Sequence, residues 1–166
     1  EETTLRDLAG GRLIVELPVR GLSAGTSAYT GTQVDTGFKH SALGLQAEYL
    51  TGPWSVRTEY ARHLDRHLTT NSYYAEAAHR FTDHWQAGAI FGRLSTPKAP
   101  PETRSDLLRH REWALTLNYW FDPGFVVKLS YHDIDGNRFA ASEEGSGALA
   151  IKPRTRLVLL GVNFTF

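Results

Sequence analysis

The 166-residue sequence contains no cysteine and no methionine. Without thiols there is neither a disulfide framework nor a thiolate metal site. No run of about 18 apolar residues occurs, which excludes a transmembrane helix. It does not exclude a membrane, because strands hide their apolarity in alternation and keep mean hydropathy low. A charge excess is also missing. Lys+Arg and Asp+Glu stand at 18 each, which removes the electrostatic case for nucleic acid as a partner. No initiator methionine or signal peptide opens the chain, so a mature form or a piece of a longer protein is expected. The length suits one domain, and residues 1–166 are read as a single unit with residues 1–10 as loop.

What the sequence does have is alternation, clearest in RLVLLGVNFTF at Arg156–Phe166. Phe166, Phe164, Val162, Leu160 and Val158 are all apolar. The intervening set, Thr165, Asn163, Gly161, Leu159 and Leu157, turns polar or small toward the end. Period two specifies an extended strand with two different faces. Eight further segments read the same way: Arg12–Leu17, Leu22–Gly31, Ala42–Leu50, Trp54–Leu64, Asn71–Phe81, Trp85–Leu94, Arg111–Phe121 and Phe125–Asp135. Pro18–Gly21, Thr51–Pro53, Thr82–His84 and Asp122–Gly124 carry turn chemistry between them. The other connections read as longer loops: about Thr32–His40, Asp65–Thr70, Ser95–Leu108 and Gly136–Pro153. Pro97, Pro100 and Pro101 place Ser95–Leu108 outside any central ladder.

Alternating short turns and long loops are the signature of an antiparallel up-and-down transmembrane β-barrel of the bacterial outer membrane. The final strand then runs toward the periplasm. About nine strands is an odd count where single-chain bacterial barrels are even. This segment is therefore expected to be the C-terminal part of a larger barrel. A complete eight-stranded barrel is the alternative.

The faces follow strand by strand. Leu43, Leu45, Ala47 and Tyr49 oppose Gly44, Gln46 and Glu48. Trp54, Val56, Thr58 and Tyr60 oppose Ser55, Arg57, Glu59 and His63. Tyr73, Ala75, Ala77 and Phe81 oppose Ser72, Tyr74, Glu76, Ala78 and Arg80. Trp85, Ala87, Ala89 and Phe91 share a face with Arg93, which is expected at an outer rim. Trp113, Leu115, Leu117, Tyr119 and Phe121 oppose Glu112, Thr116 and Asn118. Phe125, Val127, Leu129 and Tyr131 oppose Lys128, Ser130 and His132. Aromatics collect beside the short turns at Trp54, Phe81, Trp85, Phe121, Phe125 and Phe166. A second group lies further along the same faces at Tyr60, Tyr73, Phe91, Trp113 and Tyr131. Eight residues of tilted strand rise roughly 20 Å, close to the ~25 Å of an apolar band edged by aromatic girdles. Burying the opposite row dry would cost several kcal/mol per unpaired charge, roughly, whereas a wet lumen removes most of that.

The segment WALTLNYWFDPGFVVKLSYHDID at 113–135 resembles the penultimate hairpin of phosphate-selective porins. So do ALGLQAEYLTGPWSVRTEY at 42–60 and NSYYAEAAHRFTD at 71–83. The terminal GVNFTF is similar to the assembly signal of such proteins through Gly161, Phe164 and Phe166, with Leu160 standing where a polar residue is usual. The resemblance implies a barrel of about twice as many strands. It implies passive diffusion of small hydrophilic solutes or ions, and no cofactor. Expected partners are outer-membrane lipid, the barrel-insertion machinery and, as such porins often trimerise, two further copies. Pore-lining candidates are Glu48, Arg57, Glu59, Glu76, Arg80, Glu112, Asn118, Lys128 and His132. Phosphate selectivity in the family needs a cluster of lumen lysines. Only Lys128 faces inward here, so that selectivity is not carried over.

Enzymatic patterns are sparse. His63 and His67 are spaced four apart on a rim, whereas a strand needs spacing of two to share a face. His79 and His84 straddle a turn, and His110 meets His132 only if register allows. No G-x-S-x-G occurs. Ser130 and His132 share a face, with Asp133 on the other. Asp133–Asn137 has the look of a calcium loop without its downstream Glu, and an Asx-type turn suits it better. The expected activity is therefore none. A water-filled channel is the leading reading, and a closed barrel plugged by paired charges is the alternative.

Overall fold

The structure, a computed structural model, describes residues 4–65, 68–98, 109–136 and 154–165. These residues form nine strands: β1 (Leu5–Glu16), β2 (Leu22–Gln33), β3 (Lys39–Thr51), β4 (Trp54–Leu64), β5 (Thr69–Arg80), β6 (Trp85–Lys98), β7 (Arg109–Asp122), β8 (Phe125–Asp135) and β9 (Arg154–Phe164). They make one antiparallel up-and-down sheet in sequence order, with no helix among the described residues. The sheet is not closed. β1 and β9 each have one neighbour. With nine strands, both edges run in the same direction.

Register makes the two faces continuous. Directly opposed residues in an antiparallel pair lie on the same side. Leu45 opposes Tyr60, Tyr60 opposes Tyr73, Phe91 opposes Trp113, Leu115 opposes Tyr131 and Tyr131 opposes Val158. The row through Val56, Ala77, Ala89, Leu115, Tyr131 and Val158 runs unbroken from β4 to β9, whereas the row of Leu45, Tyr60 and Tyr73 meets Arg93 and Arg111 at β6 and β7. Each short turn also extends the ladder by one bond to the following strand's end. Gly21 O accepts from Leu50 N at 2.8 Å, Pro53 O from Arg80 N at 2.9 Å, His84 O from Trp120 N at 2.8 Å and Gly124 O from Thr165 N at 2.8 Å.

Among the described residues there is no second layer and almost no core. Among the described residues the buried hydrophobic side chains are Ala42, Ala114 and Val126. Leu115 is 61% exposed and Leu160 74%. Burial is inverted in β7: Trp113, Leu115, Leu117 and Phe121 are exposed while His110, Glu112, Thr116 and Asn118 are half-buried.

Several expectations need correction. Residues 1–10 are not all loop, since β1 starts at Leu5. A bulge between Arg6 and Ala9, with Asp7 at φ 53°, lets this irregular stretch pair with β2. β6 runs past Leu94 to Lys98 and includes Pro97. Its pairing with β7 ends at Ser95–Arg109, and its register with β5 shifts between Thr69 and Asn71, so Pro97 has no ladder partner to lose. The connections expected at Thr32–His40 and Asp65–Thr70 contract to 34–38 and 65–68, because β2, β3 and β5 extend into them. The first is no longer than the turn at 17–21. The contrast in loop length therefore rests on the connections after β6 and β8. Pro100, Pro101 and most of the expected loop at Gly136–Pro153 lie outside the described residues.

Gly21 tests the turn device. It sits at φ +80°, and a Cβ there would meet Leu50 O at 1.9 Å. Gly21→Ala is expected to cost more than about 1 kcal/mol, read as a lower urea midpoint by tryptophan fluorescence in detergent. Gly11 has open space and no positive φ, so Gly11→Ala is the control, with a shift within about 0.5 kcal/mol.

Candidate functional site

Apolar residues on alternate positions form a band across β3 to β9, with aromatic rings toward both of its ends in β4 to β8. Beside the short turns, Trp54 lies 4.3 Å from His79, and His79 5.4 Å from Phe81, centroid to centroid. Trp85–Tyr119, Tyr119–Phe121 and Phe121–Phe125 follow at 4.7, 4.7 and 4.8 Å. Phe125 opposes Phe164 in β9. At the far end Tyr73, Phe91 and Trp113 follow one another at 6.1 and 4.5 Å, and Tyr131 lies on the same face. His79 and Tyr119 belong to the turn-side belt although the sequence reading named neither there. Their parity places them on this face, and only His79's polarity argued against it. Phe166 lies outside the described residues.

Charge begins where the far belt ends. Arg93 opposes Arg111. Arg111 Nη2 reaches Asp135 at 3.4 Å, and Arg154 binds Asp133 through two nitrogens at 2.9 and 2.6 Å. Asp133 and Asp135 are thus held by arginines, and Asn137 lies outside the described residues. His67 is also outside them.

All nine residues singled out as pore-lining candidates lie together on the opposite face. Glu48, Arg57 and Glu76 are successive partners across β3, β4 and β5. Arg57 Nε binds Glu48, its Nη1 lies 3.4 Å from Glu76, and the Tyr74 hydroxyl donates to the same Glu76. One guanidinium therefore bridges two carboxylates through different nitrogens of its rigid fork of donors. Glu59 opposes Gln46, whose carbonyl accepts from Arg12 at 2.7 Å. Nearer the short turns, Arg80, Gln86, Asn118 and Lys128 form another cross-strand row. Asn118 donates to Gln86 at 3.0 Å. Arg80 lies 5.0 Å from the centre of the Trp120 ring, a cation–π contact. Trp120 is thereby the one tryptophan of four that faces the polar side.

Glu112 and His132 meet through the β7–β8 register. His132 Nδ1 lies 2.6 Å from Glu112 Oε1, and its Nε2 2.8 Å from Ser130 Oγ. His110 Nε2 is 3.6 Å from Glu112 Oε2, and His110 Nδ1 is 2.8 Å from Gly136 O. The sequence reading had Ser130 and His132 on one face but looked for an acid at Asp133. The carboxylate comes instead from the neighbouring strand.

Arg57→Gln removes the bridge and leaves Glu48 and Glu76 on either side of a neutral residue. Since Arg57 is half exposed, a loss of about 0.5–1 kcal/mol is expected. It should shrink toward zero near 1 M salt, where the Debye length falls to ~3 Å. Urea titrations at two ionic strengths check this. Comparison with family models and with curated proteins yields no match.

Proposed function

We propose that this sheet is part of a bacterial outer-membrane β-barrel, with its apolar face in hydrocarbon and its polar face lining a water-filled channel for small hydrophilic solutes or ions. The observation that supports this most is the inverted polarity. Soluble monomers rarely expose apolar patches beyond about 300–600 Å², whereas here one face exposes large apolar side chains on every strand from β3 to β8, among them Leu45, Trp54, Tyr73, Trp85, Leu115 and Leu129. Aromatic belts at both edges of that face suit the two membrane interfaces. The charged rim beyond Trp113 suits the headgroup region, where a cation costs ~0–1 kcal/mol.

Edge direction bears on closure. β1 and β9 run the same way, so their direct pairing would be parallel. A wholly antiparallel barrel needs an odd number of additional strands between them, which gives the even total usual for such proteins. On this reading the solutes meet carboxylates and guanidiniums at matched heights, and the paired row Glu48–Arg57–Glu76 sets a transverse field rather than a charge filter. Insertion machinery would engage the C-terminal strand through Gly161, Phe164 and Phe166.

Single-tryptophan variants separate a lipid-facing from a protein-covered surface. Lipid-phase quenchers are expected to quench Trp54, Trp85 and Trp113 and to spare Trp120. Equal quenching of all four, or of Trp120 alone, overturns the assignment of faces. Planar-bilayer recording then tests transport. Stepwise conductance supports the channel, whereas insertion without conductance favours a barrel plugged by its own charge pairs.

A further inference from the structure

We propose that Ser130, His132 and Glu112 form a serine acyl-hydrolase site on the polar face, acting on carboxylic esters with an apolar acyl chain. The hydrogen-bonded chain has the polarity such chemistry needs. Glu112 on Nδ1 fixes the imidazole tautomer that carries its proton there. Nε2 is then left with a lone pair toward the Ser130 hydroxyl, which donates to it at 2.8 Å. Nucleophile, base and orienting acid are recognised by these roles and not by position in a fold. Glu112 is itself positioned, with His110 against its second oxygen and His110 tied to the Gly136 carbonyl. The His132 side chain retains 17% exposure and Glu112 30%, so the site is neither sealed nor washed out.

A second, independent feature surrounds it. The polar face is charged across β3 to β5, but around Ser130 it turns apolar. Leu159 directly opposes Ser130, and Leu157 opposes His132. Ala114 opposes His132 from the other side, and Ile134 follows on the same face. Leu157 and Leu159 stay 40% and 47% exposed. Leucines on that face of β9 have no role in holding water. Beside a nucleophile they offer a seat for an acyl chain, and the charged rows offer a place for the polar alcohol part. Ladder pairing consumes the strand N–H groups, so oxyanion stabilisation falls to side chains. Thr116 opposes Ser130, and Lys128 precedes it on the same face. The Thr116 hydroxyl lies over Gly88, and a χ1 rotation, or a turn of the Lys128 stem, would bring a donor beside the nucleophile.

The reaction needs only ester and water. Ser130 Oγ attacks the acyl carbon while His132 Nε2 takes its proton. The tetrahedral adduct collapses, the ester C–O bond breaks, and His132 returns the proton to the departing alkoxide. A water molecule, deprotonated by His132, then attacks the acyl-serine. The carboxylic acid leaves and the Ser130 hydroxyl is restored.

The test uses the full chain refolded in detergent, with a fluorophosphonate as the probe and p-nitrophenyl butyrate as the ester. The expected result is phosphonylation of Ser130, located by mass spectrometry, with labelling and hydrolysis abolished in Ser130→Ala. His132→Gln and Glu112→Gln should each slow labelling at least about tenfold. Leu159→Gln should raise KM for the butyrate more than it lowers kcat. Circular dichroism confirms that each variant keeps its strands. An unlabelled Ser130 in folded protein, or hydrolysis that survives Ser130→Ala, overturns the proposal. Conductance of the same preparation reports on the channel separately, so either reading can fail alone.

Discussion

The pleat of a β-strand sends successive side chains to opposite sides, and this protein relies on that separation more than on any packed interior. Its nine strands form a single layer. Every apolar position that faces outward does so without a protein partner above it, and the described residues bury almost no hydrophobic side chain. Backbone pairing satisfies the peptide groups of each inner strand on both sides. What remains to be satisfied is the surface. An apolar face needs an apolar solvent, and a charged face needs water or counter-charges. On the proposed reading, hydrocarbon on one side and water on the other meet both demands at once.

Electrostatics on the polar side follows the same geometry. Cross-strand partners sit at equal height, so a carboxylate opposite a guanidinium is a pair by construction. Arg57 lies between Glu48 and Glu76 for this reason. These groups are partly solvated, which keeps the desolvation cost small and the net gain modest. Toward β8 and β9 the chemistry changes. Leucines replace charges opposite Ser130 and His132, and the polar face acquires a local apolar surface. One sheet thus carries two environments on one side, and the proposed ester chemistry belongs to the second.

Edges and turns limit the architecture. Both free edges point the same way, so this sheet cannot close antiparallel upon itself. The repeated bond from each short turn to the following strand's end ties that side of the sheet together. Across the other side the connections at 34–38 and 65–68 are no longer than the turn at 17–21. The expected contrast in loop length is therefore confined to the later half of the chain, because Gln33, Lys39 and Thr69 are recruited into strands whose partners extend alongside them.

The amino-acid order by itself determined strand existence and face. Alternation is a local property, and each residue's parity is readable without knowing its neighbours in space. All nine polar-face candidates and the named girdle members that are described fall on the sides their parity dictates. Which residues touch was decided only by tertiary structure, because contact depends on register between strands. The bulge between Trp120 and Asp122 shows why. Counting back from the Asp122–Phe125 pair without it would set Ser130 against Leu117, on the wrong face. With the bulge, Ser130 meets Thr116, and Glu112 comes within reach of His132. A one-residue irregularity at a turn is invisible in the alternation of either strand alone, yet it sets every cross-strand neighbour between β7 and β8.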